Sequence, residues 1–154
     1  MNRYRHISVE LVSPHVGAQI SGVMLSGGLS DDVVREIHRA VCEHHVVFFR
    51  DQAIAPCDQV AFAQRFGQLR KAVRASFEVM DDLPELSLLE TDRERPPNID
   101  HYHPDGIFRA QPEFASVLRA ITVPKTGGDT IFTSLCAAYE GLSPDMQQYV
   151  EGKE

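Results

Sequence analysis

The chain has 154 residues, and its 43% hydrophobic and 24% charged content is that of an ordinary folded protein with one domain and a core of its own. A net charge of −7 argues against a nucleic-acid surface, and there is no run of about 18 apolar residues to span a membrane. The N-terminus carries no apolar signal core, and Cys42, Cys57 and Cys136 share no metal-type spacing, so a reducing cytoplasm is expected.

Taken in chain order, Ile7, Val9 and Leu11 alternate with polar residues and predict a half-buried strand. Residues 16–23 form a second short extended piece punctuated by Gly17 and Gly22. Ser30 can cap a helix whose first turn places Asp31 and Asp32 against the positive end of the dipole, with Val33, Val34, Ile37 and Val41 as its apolar stripe. Cys42 reads as a small buried thiol on that helix. His44 and His45 fall at the helix C-terminus, where a cation suits the dipole, and His6, His15 and His38 read as surface or helix-face residues. Val46-Val47-Phe48-Phe49 predicts a buried strand. Residues 56–66 predict an amphipathic helix with Val60, Ala63 and Phe66 inward and Gly67 as its stop.

Residues 70–98 are polar and broken by Pro84, Pro96 and Pro97, with a solvated turn at Asp81-Asp82 and one strand at 86–89. Residues 114–122 and 130–132 predict strands joined by the Pro124-Lys125-Thr126-Gly127-Gly128 turn. Ser143-Pro144 starts a last helix carrying Met146 and Val150. Helices therefore dominate the early part, and strands gather around His103-Pro104-Asp105.

The chemistry concentrates at His103-Pro104-Asp105. On an extended segment, side chains two residues apart share a face, so an imidazole nitrogen and a carboxylate oxygen can reach one metal. That donor pair belongs to the two-histidine, one-carboxylate facial arrangement of non-haem Fe(II). His101 alternates with both, so a Zn²⁺ site on one face is a competing reading; it is disfavoured because structural zinc takes four ligands and the cysteines are remote in sequence. Without its surroundings, His103 would more simply be a hydrogen-bonded strand histidine, and Gly127-Gly128 merely a hairpin turn.

The surroundings decide. The stretch from Glu43 through His44-His45-Val46-Val47-Phe48-Phe49-Arg50-Asp51 to Gln52 is similar to an early core strand of the TauD/TfdA (taurine and 2,4-dichlorophenoxyacetate) family of Fe(II)/2-oxoglutarate-dependent dioxygenases. So is Val60-Ala61-Phe62-Ala63-Gln64-Arg65-Phe66-Gly67. Tyr102-His103-Pro104-Asp105-Gly106-Ile107-Phe108 resembles the family's metal motif, with Tyr102 where tryptophan is usual. Thr126-Gly127-Gly128-Asp129-Thr130, followed by Ala137-Ala138-Tyr139-Glu140-Gly141-Leu142-Ser143, resembles the strand and helix that follow it. The four blocks keep the family's order over nearly the whole chain.

The resemblance implies a mainly β protein with flanking helices around a double-stranded β-helix (jelly-roll) core, present as one domain over 1–154. It implies Fe(II), 2-oxoglutarate as cosubstrate and O₂, with hydroxylation of a small, anionic organic substrate as 2-oxoglutarate is decarboxylated to succinate. Carried over by position, His103 and Asp105 would be iron ligands, Thr130 would hydrogen-bond a 2-oxoglutarate carboxylate, and Tyr102 would pack beside the site.

Departures from the family pattern matter too. The family's third ligand is a distal histidine followed by an arginine for 2-oxoglutarate, yet no histidine follows His103 and the last arginine is Arg119. The expectation is an N-terminal portion lacking the C-terminal part; a degenerate protein, or a site completed by another subunit of a homo-oligomer, stays open. Ala72 and Ile99 stand where the taurine branch would place a sulfonate-binding histidine and an asparagine, so taurine is disfavoured. Arg70, Lys71 or Arg74 could supply the missing cation. The competing class is a jelly-roll module that binds without turnover.

Overall fold

In a computed structural model describing residues 3–71, 78–97 and 101–153, the chain opens with β1 (Ser8–Leu11) and β2 (Ala18–Ser21). The two are antiparallel, with Val9 opposite Ile20. α1 (Asp31–His44) then crosses to β3 (Val47–Phe49), which pairs parallel to β2 with Gln19 beside Phe48. Parallel neighbours need such a crossover, and a helix supplies it. β2 is thus the central strand of three, and its Ala18 and Ile20 are buried. β3 is half-buried rather than the buried strand expected, because it holds an edge of this sheet.

α1 starts where the sequence places it. Ser30 is extended and its hydroxyl accepts from the Val33 amide at 3.4 Å, with Asp31 and Asp32 in the first turn. Val34, Ile37 and Ala40 are buried on its inner face. Cys42 lies on the outer face and is exposed, contrary to expectation, its Sγ 3.7 Å from Nδ1 of His38 one turn back. The helix also buries a charge. The Glu36 carboxylate receives the backbone N–H groups of Arg5 at 2.8 Å, His6 at 2.9 Å and Ile7 at 3.2 Å. Burial pushes its pKa up, but those three hydrogen bonds outweigh burial and hold it below the ordinary glutamate range. Next to it the Tyr4 hydroxyl donates to Glu43 at 2.7 Å, and burial together with that carboxylate raises the phenol to about 12.

α2 (Pro56–Gln64) has proline in its first turn, and the Asp58 carboxylate accepts from the Ala55 amide at 2.7 Å, half of a capping box. Val60 and Phe62 are its buried residues, where the sequence points to Val60, Ala63 and Phe66. β4 (Glu78–Met80) and β5 (Leu83–Leu88) form an antiparallel hairpin over Asp81-Asp82. The sequence reading makes Pro84 a breaker, yet it lies inside β5: a two-stranded ladder leaves each strand an open edge where proline needs no partner.

The expected strands at 114–122 and 130–132 do not form; both segments lack a ladder among the described residues. A strand is defined by a neighbour's hydrogen bonds, which apolar alternation cannot supply by itself. α3 (Leu135–Glu140) and α4 (Pro144–Val150) close the chain, capped by Ser134 and Ser143. The residues cluster into two compact units: Met1–Met24 with Leu29–Gln52 and Val123–Glu154, and Leu25–Gly28 with Ala53–Thr122.

Candidate metal centre

His103 and Asp105 lie in the second unit, His103 in irregular backbone and Asp105 in a turn, where the sequence reading expects an extended segment. Gly106 explains the difference. Its φ of +69° is costly for any residue with a Cβ, and it turns the chain directly after Asp105. The pair still converges: His103 Nε2 is 3.7 Å from Asp105 Oδ1. Nδ1 of His103 lies 3.2 Å from the His101 carbonyl oxygen, so an Nδ1–H donated there leaves Nε2 with a lone pair on the Asp105 side. The other carboxylate oxygen, Oδ2, accepts from the Ser116 hydroxyl at 3.5 Å. Both side chains are open to solvent, His103 at 46% and Asp105 at 71%.

The donor chemistry fits a divalent cation: one neutral imidazole nitrogen and one carboxylate, each oriented by a second group. Among the described residues no cluster of three or more histidine, cysteine, aspartate or glutamate side chains could hold a metal. The competing zinc reading therefore gains no third donor from His101, whose ring stands 5.7 Å from that of His103, centroid to centroid.

Glu113 supports the turn, and the sequence reading misses it. A Cβ on Gly106 would meet the Glu113 carboxylate, the movable end of a flexible side chain, so the positive φ is what calls for glycine there. Arg70 pairs with that carboxylate and Arg109 lies 3.6 Å from it, while its Oε2 is buried without a hydrogen-bond partner among the described residues. The i,i+4 spacing of Arg109 and Glu113 is the only sequence signal for this contact. Arg70, one of the expected substrate cations, is exposed and pairs with Glu113. Lys71 is exposed; Ala72, Arg74 and Ile99 lie outside the described residues.

Thr130 belongs to the first unit and is exposed, two residues past the Gly127-Gly128 bend, where φ is +75° and +73°. Phe132 beyond it packs edge-to-face on Phe48 of β3, ring centroids 5.8 Å apart. Tyr102 is 67% exposed rather than packed beside the pair.

With that geometry in view, residues 8–154 match the model of the family described as taurine catabolism dioxygenase TauD, TfdA family, and the chain belongs to it. It is similar to an alkylsulfatase of Acinetobacter baylyi, 31% identical over 97% of this chain and 46% of that protein. It is also similar to the alpha-ketoglutarate-dependent 2,4-dichlorophenoxyacetate dioxygenase of Cupriavidus pinatubonensis, 32% identical over 90% of this chain and 54% of that one. The crystal structure of a taurine dioxygenase from Burkholderia xenovorans superposes with a TM-score of 0.80 at 35% identity, over 96% of this chain and 52% of the other. The fold class is accordingly the mainly β jelly roll with flanking helices. The chain spans about half the length of the relatives it matches. No described helix is long and apolar enough to cross a membrane.

Proposed function

We propose that the chain is part of an Fe(II)- and 2-oxoglutarate-dependent dioxygenase that hydroxylates a small organic acid. The observation that carries this reading is the convergence of His103 Nε2 and Asp105 Oδ1 to 3.7 Å in a member of this family. In this reading His103 and Asp105 hold the metal, the His101 carbonyl and the Ser116 hydroxyl orient them, and the Thr130 hydroxyl donates to a carboxylate of 2-oxoglutarate. Bound Fe(II) would supply O₂ activation coupled to decarboxylation of 2-oxoglutarate to succinate. The exposure of both ligands leaves coordination positions accessible to the cosubstrate. The third protein ligand and the cation for 2-oxoglutarate are not assigned to a described residue.

The whole of 1–154 is read as a single TauD/TfdA-like jelly-roll domain, supported by one continuous family match across both compact units. The substrate is read as a small organic anion, since the relatives' names refer to an alkyl sulfate and an aryloxyacetate. A cytoplasmic location is supported by three free, exposed cysteines, and self-association would suit the apolar surface of the C-terminal third.

The test is anaerobic Fe(II) titration of the protein and its His103→Ala and Asp105→Ala variants, followed by succinate formation from 2-oxoglutarate. Both variants are expected to lose Fe(II) binding with an unchanged circular dichroism spectrum. Fe(II) retained by both would overturn the ligand assignment. Failure of the natural gene product to form succinate under every iron and ascorbate condition would favour a binding module without turnover.

A further inference from the structure

A second site lies in the first unit, built from the N-terminal segment and the outer face of α1. A cleft of about 460 Å³ is lined by Arg3, Arg5 and His6 on one side and by Asp32, Arg35, Glu36 and Arg39 on the other. The four helical residues stand at i, i+3, i+4 and i+7 and so share one face. The opposing segment is held along that face by the Glu36 carboxylate, through the Arg5, His6 and Ile7 amides. Arg39 adds a hydrogen bond to the Arg3 carbonyl at 2.9 Å and lies over the Tyr4 ring. These contacts tie the two walls together before any ligand arrives.

Its charge is unusual for this chain. In a protein of net charge −7, four guanidinium groups line one cleft against two carboxylates. One of these carboxylates, Glu36, already accepts three backbone N–H groups. The other, Asp32, pairs with Arg35. Arg3 pairs with Glu43 outside the cleft at 3.2 Å, and the Arg5 guanidinium makes no hydrogen bond or ion pair among the described residues. Guanidinium forks match tetrahedral oxyanions by paired N–H donors, and several arginines in one concavity favour a multiply charged ligand over a single carboxylate. The volume leaves room for an organic group as well.

We propose that this cleft binds a tetrahedral oxyanion of charge two, a phosphate or a sulfate, free or carried by a small molecule. It lies on residues 3–39 and is independent of the metal reading, so neither result depends on the other. The experiment is an amide NMR titration of the protein with inorganic phosphate, and separately with sulfate, at ionic strength held constant with sodium chloride. Saturable shifts at Arg5, His6, Arg35 and Arg39 are expected. Arg5→Gln and Arg35→Gln, both on exposed side chains, are each expected to weaken binding about tenfold, the loss of one charge-assisted contact. Saturation by phosphate alone or sulfate alone supports the site and names its anion. Shifts that stay linear and match those from chloride would reduce the cleft to a counterion atmosphere and overturn the proposal. Unweakened binding in both variants would also overturn it.

Discussion

Every buried apolar side chain among the described residues falls between Tyr4 and Phe62, while Tyr102, Phe108, Leu118, Ile121 and Ile131 are all more than 60% exposed. The two regions do not differ in their supply of apolar residues. They differ in what closes over them. In the early region β2 has a hydrogen-bonded neighbour on each side and α1 laid across it, so a side chain such as Ile37 is enclosed from several directions. Residues 114–132 have no ladder among the described residues, and each large apolar residue there meets solvent. Burial follows from pairing, and pairing is a non-local event.

The sharpest way to break this contrast is to truncate one apolar side chain in each region. Ile37→Ala removes the bulk of a side chain that is 1% exposed and is expected to cost about 3 kcal/mol, from lost transfer energy and the cavity left behind. Leu118→Ala, at 80% exposure, is expected to change stability by less than about 0.5 kcal/mol. Urea denaturation measures both. A Leu118→Ala cost rivalling that of Ile37→Ala would show that the later region is enclosed in solution by self-association, with a midpoint that rises with protein concentration.

A second contrast separates two kinds of carboxylate. Glu36 is buried and held by three amides, whereas Asp105 is exposed and, among the described residues, paired with His103 and Ser116. Glu36→Gln keeps the shape but removes the charge, leaving fewer acceptor sites for three donors. We expect a loss of about 2 kcal/mol at neutral pH, from hydrogen bonds to a charged group. The pH dependence has a definite sign. The folded-state pKa of Glu36 is lowered, so the unfolded chain binds the proton more tightly. Its contribution is full above the ordinary value of 4.5 and disappears as pH falls through the lower folded value. The gap between wild type and Glu36→Gln should therefore close on acidification. A gap that is constant with pH would assign the loss to packing alone. Asp105→Asn is expected to leave stability nearly unchanged, because its contacts are exposed.

What the sequence discloses follows the same division. α1 and α4 are legible because their signals are local: a serine cap, acidic first turns or a first-turn proline, and an apolar stripe. The His103–Asp105 pair is legible because two residues of spacing suffice to bring the groups together. Its backbone is not, because Gly106 at positive φ turns the chain directly after Asp105, where the sequence reading expects an extended segment. Glu36 and Glu113 escape notice for a different reason. A glutamate in a polar pattern reads as solvated, and their partners are remote in sequence: the backbone of Arg5 to Ile7 for Glu36, and Arg70 for Glu113. Cys42 misleads because its apolar neighbours in sequence are not neighbours on its helix face.

The junction between α1 and β3 offers the smallest but cleanest test, because the early region achieves its closure there at a local cost. His45 has φ 67° and ψ −39°, and the Val46 amide reaches back to the His44 carbonyl at 2.8 Å. That is a tight γ-turn about His45, a conformation strained for a residue with a Cβ. It persists because its flanks are tied to β2: the His44 carbonyl also accepts from Gly17 at 2.9 Å, and the Val46 carbonyl from Ala18 at 3.0 Å. The imidazole itself is exposed and carries no packing. Glycine should therefore relieve the strain while keeping every hydrogen bond. His45→Gly is expected to raise stability by about 1 kcal/mol, even after the extra freedom glycine gives the unfolded chain. His45→Ala, which keeps the Cβ, should be nearly neutral, and the two variants compared in urea separate backbone strain from any role of the ring. Equal effects of glycine and alanine would mean that the turn is unstrained. A gain confined to glycine would show that the sheet's register, fixed by residues 17 and 18, imposes the turn on a sequence that resists it.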